Sequence, residues 1–203
     1  VASGRRKRGT GVTDFESLPG WCSREKAAEL VRLVHEHRPA VVCEVGVFGG
    51  RSLLPMAAAC RENGIGVCYA VDPWTKAAAL EGTVRACDSE WWSQVDLAAV
   101  KAAFLGAVLH HELTTWVRVL EGRWFDTHPA VPEIDLGHID GNHSPEVSDT
   151  DAKLMLDKLR PGGLVVMDDT DSPDQIEPAL RQLDERCHLL RDWGTWRVYQ
   201  KKW

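Results

Sequence analysis

The stretch Val41 to Ser52, V-V-C-E-V-G-V-F-G-G-R-S, constrains this chain more than any other. Val41, Val42, Cys43 and Val45 make a short apolar run rich in β-branched residues, the pattern of a strand in a parallel sheet covered on both faces. Gly46, Gly49 and Gly50 follow at once, where a chain can turn sharply and leave room for a ligand. Ser52 is expected to cap a helix running through Arg61, with free N–H groups aimed at an anion in the turn. Pro55 fits three residues past the cap, because an N–H there has no helical partner to lose. Ordinary strand-to-helix loops look the same, so the rest of the chain must decide.

Strand and helix patterns alternate around this stretch. Ser23 opens a helix with Ala27, Leu30, Val34 and His37 on one face, stopped by Pro39. Asn63-Gly64 ends the helix after the glycine turn, and Gly66 to Asp72 reads as a second strand ending in a carboxylate. From Pro73 to Thr115 the pattern loosens, apart from an alanine-rich helix over 97–109. Val117 to Leu120, Ile134 to Ile139 and Gly163 to Met167 read as further strands. Ser144 and Pro145 start a helix that turns Val147, Leu154, Met155 and Leu159 to a core and stops at Arg160-Pro161-Gly162-Gly163. A last helix spans 174–185, and 187–191 with 195–201 form an antiparallel hairpin through Trp193-Gly194. The predicted fold is α/β: a Rossmann-like, mostly parallel seven-stranded sheet with helices on both faces, closed by that hairpin. Residues 23–203 are expected to make one domain, and 1–22 a partly disordered N-terminal tail.

At 203 residues, 44% hydrophobic and 27% charged, the chain is long enough for one domain with a substantial core. No apolar run reaches the length that crosses a bilayer and no signal-peptide pattern is present, so a cytoplasmic location and no membrane partner are expected. A net charge of -6 argues against nucleic acid as a partner, although Arg5-Arg6-Lys7-Arg8 is a basic cluster. Its Ser3, Gly4 and Gly9 flanks suit a solvated, mobile tail. The six cysteines lack C-x-x-C or zinc-like spacing and are expected as reduced thiols, Cys43 and Cys68 inside strands.

Ligands of an open parallel sheet bind beyond the carboxyl ends of its strands, near the point where strand order reverses. Those ends carry the Gly46 to Gly50 turn, Asp72, the Gly122 to Phe125 segment, Asp140 with His143, and Asp168 with Asp169. Asp72 follows the turn by about twenty residues and suits the two hydroxyls of a ribose; a turn role before Pro73 would suit it too. Asp140, Asp168 and Asp169 would repel one another unless something positive lay among them. A hard divalent cation such as Mg²⁺ takes oxygen ligands of this kind, whereas a solvated acidic turn at Asp168 to Asp171 would need none. His143 is a candidate general base, since imidazole titrates near neutral pH, or else a cap or an orienting group. His110-His111 has no carboxylate at ligand spacing and reads as surface. Trp74, Trp91, Trp92 and Trp124 lie in connections over this mouth, as an aromatic wall for a substrate or as packing of a lid. Trp193 and Trp196 are expected to pack the hairpin, and Trp203 to be disordered.

Four motifs stand in order at strand ends: Glu44 to Ser52, Val71-Asp72-Pro73-Trp74, Ile139-Asp140-Gly141-Asn142-His143, and Gly162 to Thr170. Together they resemble class I S-adenosylmethionine-dependent methyltransferases. The closer likeness is to metal-dependent O-methyltransferases of the catechol type and to the sugar O-methyltransferases of macrolide biosynthesis, from Ser23 to the C-terminus. The resemblance implies that Glu44, Gly46, Phe48 and Gly50 line the cofactor site and that Ser52 meets the methionine carboxylate. Asp72 would hold the ribose, Gly122, Arg123 and Trp124 would border the adenine, and Asp140 would also face the cofactor. Asp140, Asp168 and Asp169 fall on the ligand positions for Mg²⁺ or another divalent cation, the last being Asn in the catechol enzymes and Asp in the sugar ones. His143 stands where the catechol enzymes carry a catalytic Lys, which favours a substrate other than a simple catechol.

The implied reaction is O-methylation of a small-molecule hydroxyl acceptor, a vicinal diol, sugar or catechol-like compound of the kind met in natural-product biosynthesis. Asp140 and His143 are its candidate catalytic residues: a hydroxyl on the metal has a lowered pKa and a fixed direction, and His143 takes its proton. A nicotinamide-dependent oxidoreductase would share the first strand, the turn and the acidic second strand. Its turn would be G-x-G-x-x-G, however, and three carboxylates would have no use there. A hydroxylase-like enzyme with the same motif order, or a non-catalytic cofactor-binding protein, is also compatible with these residues. Acceptor determinants are expected within 73–115, and the pocket is expected to be completed by a further segment or by a partner subunit, as in a homo-oligomer.

Overall fold

A computed structural model describes residues 12–203 of the chain. Its strands are β1 (Val41–Val45), β2 (Val67–Asp72), β3 (Val117–Glu121), β4 (Ile134–Ile139), β5 (Leu159–Asp168), β6 (Cys187–Asp192) and β7 (Trp196–Lys201). The helices are α1 (Arg24–His37), α2 (Leu53–Asn63), α3 (Lys76–Ala79), α4 (Ala86–Gln94), α5 (Leu97–His110), α6 (Trp124–Thr127), α7 (Pro145–Lys158) and α8 (Pro173–Arg186). The seven strands form one sheet in the order β3-β2-β1-β4-β5-β7-β6. Neighbours run parallel from β3 to β5, and β7 is antiparallel to both β5 and β6. This is the predicted α/β architecture with its closing hairpin, where Trp193 and Trp196 stack at 3.8 Å.

Strand alternation sorts the core into two layers. Val42, Cys68, Ala70, Leu136 and Val166 face Leu30, Val34, Met56 and Phe104 of α1, α2 and α5. Their neighbours Cys43, Val71, Ile139 and Val165 face Ala152, Met155, Ile176 and Leu183 of α7 and α8. Each fully buried Leu, Ile or Phe in these layers contributes roughly 1.5–3 kcal/mol. The chain runs outward from β1 to β3 and returns to β4 on the other side of β1. Strand order therefore reverses between β1 and β4, and a crevice opens at their carboxyl ends.

Helix termini follow their local chemistry in α1, where Ser23 accepts a hydrogen bond from the Lys26 N–H at 3.1 Å. The helix ends with Arg38 in the left-handed conformation, its N–H bonded to Val34, just before Pro39. Ser52 and Ser144 both occupy N-cap positions without using their side chains for the cap, contrary to expectation. The Ser52 hydroxyl donates to Glu44 instead. Helix α2 runs to Asn63, and His37 is exposed. β5 begins at Leu159, four residues before its expected start at Gly163, with a register shift between Ile134 and Leu136 of β4.

The expected tail is partly built into the fold. Val12–Phe15 forms a 3₁₀ turn whose Phe15 is buried and packs on His111 at 4.6 Å between ring centroids. Cys22 is buried as well, and Pro19 closes over the glycine turn. The basic cluster Arg5 to Arg8 lies outside the described residues. All six cysteines are free thiols. Trp203 is described, and it is 96% exposed. Among the described residues, no single helix is long and apolar enough to cross a membrane.

Candidate functional site

The crevice between β1 and β4 is a cavity of about 1080 Å³. Small-molecule sites usually span about 300–1,000 Å³, so it has room for two ligands side by side. Its floor starts at the turn after β1. Gly46 has φ +87°, and a Cβ there would lie 2.0 Å from the carbonyl oxygen of Asp140, so only glycine lets β1 and β4 end this close together. At Gly50, φ +86°, a Cβ would strike the Phe104 ring at 2.6 Å, which fixes the turn onto α5.

Asp72, at the end of β2, ties the two turns together. Its Oδ2 accepts the Phe48 N–H at 2.8 Å and its Oδ1 accepts the Trp74 N–H at 2.7 Å, while Trp74 Nε1 donates back to the Phe48 carbonyl at 2.9 Å. Phe48 and Trp74 both have left-handed φ values, as does Asp169 across the cavity. Three wall residues are thus held in a conformation that costs about 1–3 kcal/mol each, which persists only where surrounding bonds over-determine it. Burial raises the Asp72 pKa, opposed by those two N–H donors.

The ends of β4 and β5 bring Asp140, His143, Asp168 and Asp169 together on the cavity wall. His143 Nε2 lies 2.8 Å from Asp169 Oδ2. Burial works against a charged imidazolium, yet the Asp169 carboxylate outweighs it and holds His143 above the usual histidine range. Ligand atoms of Asp140, His143 and Asp169 lie within 4.8 Å of one another, an arrangement open to a metal ion.

Lys26, which no sequence motif marks, completes this cluster. It comes from the first turn of α1, is 3% exposed, hydrogen-bonds Asp168 Oδ2 and lies 3.6 Å from Asp140 Oδ2. Burial disfavours its charge, but the two carboxylates overturn that and keep the ammonium above the ordinary lysine range. Asp168 is correspondingly held low despite its own burial, whereas burial and then the neighbouring carboxylates push Asp140 up. The signal for Lys26 was its place, four and seven residues before Leu30 and Leu33, on the buried stripe of α1.

Other expected residues divide between wall and support. Gly46, Phe48, Ser52, Asp72, Gly122, Arg123, Trp124 and Asp140 line the cavity. Glu44 does not: it is fully buried beneath the floor, bonded to Ser52 through Oε1 and 3.4 Å from His138 through Oε2. Gly50 is likewise behind the wall, under Phe104. Arg123 pairs with Glu81 and Asp126. Trp124 is buried in the wall with its indole N–H lacking an acceptor.

The loosely patterned segment forms the roof. Asn142 donates to the carbonyls of Ala78, Ala79 and Glu81 and accepts the Ser144 N–H, pinning α3 over the cavity. The tryptophans split in role. Trp74 is buried on Phe104, with centroids 5.6 Å apart. Trp91 and Trp92 of α4 instead join Phe48 and the 67% exposed Trp21, which stacks on Phe48 at 5.3 Å, in an aromatic wall. His110 is exposed, as expected, but His111 is partly covered by Phe15.

A family model described as a methyltransferase domain matches residues 43–170. A search of curated protein sequences returns no match. Among solved structures, the O-methyltransferase NovP superposes with a TM-score of 0.69 at 18% identity, over 91% of this chain and 84% of NovP. The O-methyltransferase TomG of Streptomyces achromogenes, involved in tomaymycin synthesis and solved with S-adenosylmethionine, gives 0.64 at 15%, over 97% and 92%. An O-methyltransferase of Bacillus cereus, in complex with S-adenosylhomocysteine, gives 0.63 at 13%, over 98% and 94%. At such identities the likeness is one of fold.

Proposed function

The chain belongs to the methyltransferase-domain family, and on that premise we propose that it is an S-adenosylmethionine-dependent O-methyltransferase acting on a hydroxyl of a small molecule. One observation carries the reading: the His143–Asp169 pair and Asp140 face the same cavity as the glycine turn, Asp72 and Trp124. The cofactor fits this cavity on its own terms. The Trp124 N–H awaits an acceptor, Asp72 keeps lone pairs free, and the surplus of carboxylates suits a cationic ligand. Gly46, Phe48, Ser52, Asp72 and Gly122 to Trp124 would hold it.

When bound, S-adenosylmethionine supplies a methyl group on a positively charged sulfur, which keeps the electron pair of the broken bond. The chain's own task is to aim the acceptor oxygen and remove its proton. The His143 ring is the group placed to take that proton, and the Asp169 carboxylate, 2.8 Å from its Nε2, stabilises the imidazolium formed. The aromatic wall of Trp21, Phe48, Trp91 and Trp92 favours a flat or ring-bearing acceptor.

The resemblance also implies a divalent cation on Asp140, Asp168 and Asp169. That donor set does not fit the ion as it stands, since Lys26 holds Asp168 and faces Asp140, and His143 holds Asp169. A second reading keeps a divalent ion such as Mg²⁺ on Asp140, His143 and Asp169, favoured by their spacing within 4.8 Å. It would make His143 a ligand and exclude it as the base. Calorimetry with S-adenosylmethionine, followed by S-adenosylhomocysteine release with panels of phenols, diols and sugars, tests the main reading. Absence of cofactor binding would overturn it.

A further inference from the structure

We propose that Lys26 is the resident cation of this site, taking the place between Asp140 and Asp168 where a divalent ion would sit, so that methyl transfer here needs no divalent metal. The inference rests on the methyltransferase reading of the cavity. Carboxylates gathered at neighbouring strand ends are stabilised by positive charge among them, and at Asp140 and Asp168 the chain supplies it through Lys26. Lys26 bonds Asp168 and lies 3.6 Å from Asp140, and His143 lies 2.8 Å from Asp169. Lys26 is 3% exposed, and an ammonium so buried is tolerated only when it is paired: here Asp168 accepts its hydrogen bond and Asp140 lies at ion-pair distance, both on the cavity wall.

Lys26 is also fixed in place rather than visiting. Its N–H is capped by Ser23 in the first turn of α1, and α1 is buried along Ala27, Leu30, Leu33 and Val34. A divalent ion at the same carboxylates needs ligands at about 2.0–2.6 Å and would lie against the ammonium, two like charges competing for one pair of acceptors. Lys26 acts as a positioning residue: it holds Asp140 and Asp168 and sets the charge of the floor, leaving acceptor chemistry to His143.

The test uses Mn²⁺ as the metal probe, with free Mn²⁺ followed by electron paramagnetic resonance on protein stripped with EDTA. The wild type is expected not to take up Mn²⁺ at millimolar concentration, and to bind S-adenosylmethionine and release S-adenosylhomocysteine equally with or without EDTA. Lys26→Met removes the charge at similar volume, and its Mn²⁺ affinity is expected to rise at least about tenfold because an adjacent like charge is gone. Should that variant not fold, Lys26→Gln removes the charge while keeping a polar group for Asp168 and should show the same gain in Mn²⁺ affinity, and Lys26→Arg should keep the wild type's indifference to metal. Uptake of Mn²⁺ by the wild type that is lost in Asp168→Ala, or activity abolished by EDTA and restored by Mg²⁺, overturns the proposal. Failure of S-adenosylmethionine to bind any of these proteins would instead strike the cofactor reading, and calorimetry reads that outcome separately.

Discussion

The Nε2 atom of His143 lies 2.8 Å from Oδ2 of Asp169, across the gap between the ends of β4 and β5. On the proposed reading the pair joins a base to the carboxylate beside it, with the ring on the cavity wall. Replacing His143 by Gln should lower kcat by about 10²–10⁴, the usual contribution of a positioned general base, while the dissociation constant for S-adenosylmethionine stays unchanged. Asp169→Asn should lower kcat by a smaller factor. Initial rates paired with calorimetry decide this, and a His143 variant with wild-type kcat would remove the residue from the chemistry.

Much of this site was legible because strand ends announce themselves. The runs at Val41 to Val45 and Ile134 to Ile139 end in glycine or aspartate, and a parallel sheet gathers such ends at one edge. Lys26 was not legible in the same way. Its partner Asp168 is 142 residues distant, and a lysine in a first helical turn ordinarily points to water. The Ser52 hydroxyl looked like a cap because pattern cannot reveal that Glu44 is buried within its reach. Helix α4 was hidden because it buries no residue fully, so its face carries little periodic signal. Trp21 lies in a segment with the composition of a tail, although it stacks on the turn that organises the chain.

Asp72 should matter to stability as well as to ligand binding. Asp72→Ala leaves the N–H groups of Phe48 and Trp74 without their acceptor and releases two left-handed residues. A loss of about 2–4 kcal/mol is expected in urea denaturation, from two unsatisfied buried donors. S-adenosylmethionine affinity should fall in parallel. Asp72→Asn retains one side-chain acceptor and should recover part of the stability. Wild-type stability in the Ala variant would show that the turn is fixed by other contacts.

Two tryptophans should respond in opposite ways. Trp74 is buried against Phe104, so Trp74→Ala should destabilise the fold by about 3–5 kcal/mol. Trp21 is 67% exposed and touches only the rim aromatics among its ring contacts, so Trp21→Ala should leave the melting temperature nearly unchanged. Its effect should fall on KM for the acceptor, with kcat at saturation preserved. Equal KM for Trp21→Ala and wild type across ring-bearing acceptors would exclude the aromatic wall from substrate binding.

Asp151, on α7 beneath Gly141, gives the fold a dependence on pH. Its carboxyl is buried, and burial first, with the charge of Glu81 second, pushes its pKa up to about 7. In the unfolded chain the value is about 3.9, so between about pH 4 and 7 the folded state holds a proton that the unfolded state has released. The sign follows: this residue costs the fold nothing below about pH 4, its penalty grows as pH rises toward 7, and it levels off above, at roughly 4 kcal/mol as an upper bound. Asp151→Asn removes the ionisation at nearly constant shape. Denaturation series from pH 5 to 8.5 should therefore show the variant gaining on the wild type with rising pH, with a plateau above the folded-state value. A stability difference that does not change with pH would mean that Asp151 does not titrate in this window and that its environment is more polar than its burial implies.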